Sequence, residues 1–246
     1  MRYLGGKSRI PKEIGGAIDD AVSGRQVKNS LAISTNVRGG KTLVSLFCGT
    51  CSVEAKCSQF DNIICNDNHK YLIAMLNAVK HGYDLPESVS EQEYKYIREH
   101  KDDDPALAGF VGFGCSFGGK WFGGYARDNR TNRNYAAVSK KSLLNDMDNL
   151  KNANFVCNDY RSVDIPDGAV IYADPPYANT TGYGGDKFDT DAFWEYMRVL
   201  SKNHKVFISE LNAPDDFICI WEKPLRRTLD VNKNNNFMST EKLFTL

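Results

Sequence analysis

The chain has 246 residues, 41% of them hydrophobic, enough to bury a sizeable core as one large domain or one domain carrying an insertion. Its 31 basic side chains balance 31 acidic ones, which excludes a global field favouring polyanions and makes any nucleic-acid surface a local one. The opening MRYLGGKSRIPKEIGG lacks the apolar stretch of a secretory signal, and no run of about 18 apolar residues occurs, so a soluble, cytoplasmic protein with no membrane partner is expected.

In chain order, residues 24–41 read as a polar loop. LVSLFC at 43–48 predicts a strand that ends at a glycine turn, and 52–59 predicts a continuing helix. NIICND at 62–67 predicts a second buried strand; after it Leu72, Met75, Leu76 and Val79 recur at helical spacing. Residues 82–151 break the alternation with helix signals and a glycine-aromatic run but no clear core strand, which predicts an inserted subdomain between 1–81 and 152–246. Strands follow at NFVCND (154–159) and AVIYAD (169–174), flanking a turn at 165–168; then come a helix at 189–204, a strand in KVFISEL, and terminal strands around ICIWEKP and EKLFTL. Strands alternating with helices predict an open α/β sheet with helices on both faces, whose ligands bind at the carboxyl ends of the strands. The seven cysteines, an odd number in strand-like contexts such as NIICND and NFVCND, predict free buried thiols and no disulfides.

Asp174-Pro175-Pro176-Tyr177 follows the AVIYA strand directly, where such a sheet places its active site. Two prolines stiffen the turn and remove two donors, leaving carbonyls free to accept from an amine. A conjugated exocyclic amine such as adenine N6 is a poor nucleophile, and the Asp174 carboxylate with the Pro175 carbonyl supplies two acceptors that would localise its lone pair. Tyr177 would stack on a base extruded from a duplex. Asp67, 19 positions beyond Cys48, has the spacing that puts an acid of the second strand on a ribose hydroxyl. No G-x-G-x-x-G occurs, so a dinucleotide pyrophosphate cradle is unsupported. The insertion interleaves aromatics and glycines, then adds Lys120, Arg127, Arg130, Arg133, Lys140 and Lys141, which suits phosphates and bases or, alternatively, a solvated basic face. Cys48-Gly49-Thr50-Cys51 also allows a thiol-redox reading, or zinc with Cys57 and Cys65.

Taken together, RYLGGKSR, FCGTCSVE, ICND, CNDY, DPPY and FISE, in this order, resemble the Dam-like DNA adenine-N6 methyltransferases, including phage-borne members. The resemblance implies a Rossmann-like S-adenosylmethionine-dependent methyltransferase sheet with a target-recognition subdomain at 82–151. It implies site-specific methylation of a flipped-out adenine in double-stranded DNA by a monomer or weak dimer, as in restriction-modification or phage biology. Tyr3 and Lys7 would close over the methionine end of the donor, and Asp159 with Tyr160 would contact its adenine. Phe47, Cys48, Gly49, Thr50, Cys51 and Ser52 would form the cofactor loop, together with Asp67 and Asp174. This loop departs from the family's F-x-G-x-G form at Cys51, where a glycine would permit φ > 0. Lys120, Arg127, Arg130 and Arg133 would bind DNA. Cytosine-N4, RNA-adenine or protein-amide methylation, and a silent DNA-binding protein, are alternatives on the same fold.

Overall fold

A computed structural model describes residues 1, 3–25, 42–128, 131–176, 188–226 and 238–246. The elements in chain order are α1 (Pro11–Val22), β1 (Thr42–Ser45), β2 (Asn62–Asn66), α2 (Lys70–Lys80), α3 (Glu91–Glu99), α4 (Pro105–Gly114), α5 (Tyr135–Met147), β3 (Ala153–Val156), β4 (Val170–Ala173), α6 (Thr190–Ser201), β5 (Lys205–Glu210), β6 (Ile218–Arg226) and β7 (Met238–Thr245). The strands form one sheet in the order β3-β2-β1-β4-β5-β7-β6. From β3 to β5 every pairing is parallel, and β7 closes that side antiparallel to both β5 and β6.

Period-2 alternation builds two cores, one on each face. Leu43, Val170, Tyr172, Phe207 and Leu243 point to one, with α1 and α2; Val44, Ile171, Ala173, Val206, Ile208 and Phe244 point to the other, against Phe193, Trp194, Met197 and Leu200 of α6. The α/β sheet with helices on both faces is therefore as expected. The helices of 82–151 fold onto the first core. Phe110, Val111 and Phe113 of α4 and Leu143 of α5 share it with Leu72, Met75 and Leu76 of α2.

Three local expectations are corrected. The helix predicted at 52–59 shrinks to a single 3-10 turn, Glu54–Lys56, because Cys51 enters it with φ +56° and Cys57 leaves it extended. A helix absent from the sequence reading, α1, buries Ile14, Ala17, Ile18, Ala21 and Val22 on one side. Its Gly15 lets the backbone at Lys56 approach so closely that an added Cβ would sit 3.1 Å away, so a residue that argues against helix on propensity is here a packing choice. Finally, the thiols are not uniformly buried: Cys48, Cys51, Cys65 and Cys115 are, whereas Cys157 of the NFVCND segment and Cys219 are exposed, because each lies at the rim of the sheet.

Candidate functional site

Strand order reverses at β1. The chain moves outward to β2 and β3 on one side, then crosses back to β4 and β5 on the other, which opens a crevice at the carboxyl ends of β1 and β4. Both rims come from short loops. Asp174 and the buried Pro175 leave β4 on one side, and the 46–52 loop leaves β1 on the other, with Leu46 N–H donating to the Tyr172 carbonyl at 2.9 Å.

The N-terminal segment delivers a cation here. Lys7, 4% exposed in its side chain, places Nζ 2.5 Å from Asp174 Oδ1 and 3.4 Å from Glu241 Oε1 of β7. Burial pushes the Asp174 carboxyl up to about 6, while the Lys7 ammonium opposes that rise and Glu241 adds to it. Tyr172, one strand pleat below, exchanges a hydrogen bond with Ser209 at 3.0 Å. Glu54 accepts from the Ser45 hydroxyl at 2.6 Å, and burial pushes its carboxyl well above the usual range.

The β1 loop is held by the end of β2. Cys48 N–H donates to the Asn66 carbonyl at 2.7 Å, Gly49 N–H to Asp67 Oδ2 at 3.1 Å, and His69 N–H to Asp67 Oδ1 at 2.9 Å. Asp67 is buried, which pushes it up to about 6 against those two donors, and each oxygen keeps a lone pair for another partner. Asn66 ties Leu46 to Asn158 at 3.0 and 3.1 Å, locking the ends of β1 and β3 together. Gly49 (φ +51°) and Cys51 (φ +56°) both take the left-handed conformation, so the residue standing where the F-x-G-x-G form has its second glycine adopts a glycine's backbone. The Tyr3 ring covers Gly49, where an added Cβ would meet it at 3.2 Å. Thr50 and Ser52 are buried within the loop.

Beyond the loop, Phe47 packs against Tyr160 at 5.1 Å and Phe188 and Phe193 at 5.9 Å, making an aromatic wall on the α6 face. Asp159 faces solvent, capping the turn after β3 and pairing with the Arg161 guanidinium at 2.9 Å. The structure thus gathers Tyr3, Lys7, Phe47–Ser52, Asp67, Tyr160 and Asp174 around the strand ends. Tyr177 lies outside the described residues.

The thiol alternative loses its chemistry here. Cys48 and Cys51 are buried and donate toward the equally buried Cys65; desolvation pushes both donors well up, and although their hydrogen bonds pull Cys65 down to about 5, that thiol is fully enclosed and out of reach of a thiol or disulfide partner. Among the described residues no group of three His, Cys, Asp or Glu side chains could hold a metal ion.

The insertion uses its motif residues differently from the expectation of a base-stacking aromatic run. Trp121 stacks on Tyr71 at 5.1 Å, Phe122 packs edge-on against Tyr94 at 5.3 Å, and the Tyr125 hydroxyl donates to the Val89 carbonyl at 2.6 Å. These rings are packing, drawn inward because the glycines between them let the chain turn tightly. Phe117 alone in the run stands out among the described residues, 67% exposed at the tip of the Phe117–Gly119 turn. That tip is close to the N-terminal segment, since Leu4 N–H donates to the Gly119 carbonyl at 3.1 Å. Of the basic residues, Arg127 pairs with Glu91, and Lys140 sits 2.9 Å from Asp84 and 2.8 Å from Glu87. Lys120 and Arg133 are exposed, the latter over the Tyr135 ring at 5.6 Å; Arg130 lies outside the described residues.

Glu241, Glu54 and His69, and Phe117 at the tip of the insertion, are candidates that sequence reasoning did not single out. His69 caps α2 and lies edge-on to Trp121 at 4.4 Å, where burial pulls it down to about 4 and keeps it neutral.

Among solved structures, a conserved hypothetical protein of Streptococcus pyogenes shares 9% identity over 84% of this chain and 87% of its own, with a TM-score of 0.33. SMU.472, solved complexed with SAH, shares 12% identity over 86% of this chain and 49% of its own, with a TM-score of 0.31. Neither overlap is close enough to bear on the reaction. No curated protein matches. A family match, in contrast, takes in Tyr3, Lys7, the β1 loop and Asp67. Over residues 3–106 the chain matches the model of the D12 class N6 adenine-specific DNA methyltransferases.

Proposed function

We propose that the crevice at β1 and β4 binds S-adenosylmethionine and that Asp174 and the Pro175 carbonyl orient the N6 amine of an adenine extruded from double-stranded DNA. The observation that carries this is the buried Lys7–Asp174 contact, which joins the family-matched segment to the turn after β4. The residues present suit the cofactor. Asp174 and Glu241 flank the one buried ammonium and Asp67 adds a further carboxylate at the end of β2, so the crevice carries surplus negative charge that favours a cationic sulfonium, and Asp67 retains acceptor capacity for a ribose hydroxyl. When bound, S-adenosylmethionine supplies a methyl group on a positively charged sulfur that leaves as a neutral thioether.

The chain's own residues do the rest. Asp174 accepts one N6 hydrogen and Pro175 the other, which frees the nitrogen lone pair from the ring; the amine becomes acidic as its new bond forms, so Asp174 need only accept a proton that is already leaving. Tyr3 over Gly49 and the Phe47–Tyr160 wall exclude water on either side of the loop. Residues 82–151 serve as the target-recognition unit, with Phe117 as the exposed ring that occupies the gap left by the extruded base and Lys120, Arg130 and Arg133 on phosphates. Expression in a methylation-free host followed by sequencing for N6-methyladenine tests reaction, base and target together. A genome without modified adenine overturns the proposal.

A further inference from the structure

Lys7 is shared. Its ammonium is 2.5 Å from Asp174 and 3.4 Å from Glu241, and both Lys7 and Glu241 are buried. Glu241 reaches this place because β7 runs antiparallel, which brings its early residues to the carboxyl ends of the parallel strands; it lies on the same face as Leu243 and Tyr172. A lone lysine against a lone buried aspartate would form a closed pair, and an incoming amine would have to compete with the ammonium for the carboxylate. A second carboxylate behind the lysine draws it partly away.

We infer that Glu241 is a positioning residue for methyl transfer: by holding the Lys7 ammonium between two carboxylates, it keeps Asp174 from closing into a pair with Lys7 and so available to accept the adenine amine. This rests on the reading of Asp174 as that acceptor. Among the described residues, the groups that face Asp174 are Lys7 from the N-terminal segment, Glu241 from β7, Tyr172 with its Ser209 partner from β4 and β5, and the buried Glu54 beyond β1. Of these, Glu241 is the one whose negative charge raises the Asp174 carboxyl. Removing that charge lets Asp174 bind Lys7 more tightly and titrate lower.

The test compares wild type, Glu241→Gln and Glu241→Asp in three measurements: kcat on DNA, the pH profile of kcat, and titration of the Asp174 carboxyl by carbon NMR, which needs no turnover. Glu241→Gln is expected to lower kcat at least tenfold, to weaken the affinity for S-adenosylmethionine by less than it lowers kcat, and to move the acid limb and the Asp174 titration to lower pH. Glu241→Asp should recover part of both. An unmoved titration with kcat near wild type overturns the inference, as does a fall in kcat with an unmoved acid limb, which would make Glu241 merely structural. Wild type that methylates no adenine overturns the functional reading itself, and with it the inference; wild type that methylates beside an unaffected Glu241→Gln overturns only the inference.

Discussion

The crevice at β1 and β4 and the face of the insertion contain the same kinds of side chain, acids, bases and aromatics, and put them to opposite uses. In the crevice, charges from three distant parts of the chain converge under burial: Lys7, Asp174 and Glu241 meet where water is excluded, and the cost of holding them there marks a site rather than a scaffold. On the insertion, Arg127 and Lys140 are neutralised by carboxylates of the same surface, several of them largely exposed, and contacts of that kind contribute little. Motif chemistry therefore transfers to function where the structure concentrates it, and turns into packing where the structure satisfies it locally.

Removing the acceptor should produce the largest effect and would break the comparison if it did not. Asp174→Ala is expected to cut methyl transfer by about a thousandfold or more, the scale of losing a preorganised polar group at the reacting centre, while cofactor binding measured by calorimetry stays largely intact. A variant that still forms N6-methyladenine would remove Asp174 from the chemistry. The same residue sets the pH dependence. Asp174 accepts only when ionised, and burial places its carboxyl at about 6, so kcat should hold above that pH and fall about tenfold per unit below it. A profile flat down to pH 5 would mean that the group is more solvated than the crevice implies.

Phe117 comes next. Phe117→Ala should lower kcat by about ten- to a hundredfold on paired DNA and much less on a target adenine placed opposite a mismatch, because an already unpaired base needs no ring to replace it in the stack. Equal losses on both substrates would place Phe117 elsewhere. Smaller still is the contrast between two arginines. Arg133→Ala should flatten the slope of log affinity against log salt by about 0.9, whereas Arg127→Ala should change it little, because Glu91 already neutralises that guanidinium. Equal slopes would erase the distinction drawn between the two regions.

The parallel half of the sheet was legible because buried strands are short apolar runs bounded by turn residues, and the Asp-Pro-Pro turn was legible because it follows one of them. Lys7 was singled out by likeness, and burial against Asp174 gives it a partner. Glu241 was not legible: on EKLFTL it reads as the solvent-facing acid of an edge strand, and only the antiparallel entry of β7 carries it to the crevice. The inward turn of Trp121, Phe122 and Tyr125 was hidden because a run spaced by glycines has no period from which a face can be read. Arg127 looked available because Glu91, its partner, lies 36 positions away.

Cys51 sharpens the comparison at the smallest scale, since it stands in the crevice yet should behave like packing. Its φ of +56° costs about 1–2 kcal/mol that glycine would not incur. Against that, Cys51→Gly would empty a fully buried side-chain position beside Cys48 and Cys65, losing about 1 kcal/mol of burial, and would add backbone entropy to the unfolded chain worth about 0.5–1 kcal/mol. The opposing effects nearly cancel, so Cys51→Gly should shift unfolding free energy by no more than about 1 kcal/mol in a denaturant titration, with S-adenosylmethionine affinity within about threefold of wild type. A loss well beyond that would mean that the three thiols brace the loop more strongly than their burial accounts for. A gain in affinity would mean that the Cβ of Cys51 holds the backbone away from the donor.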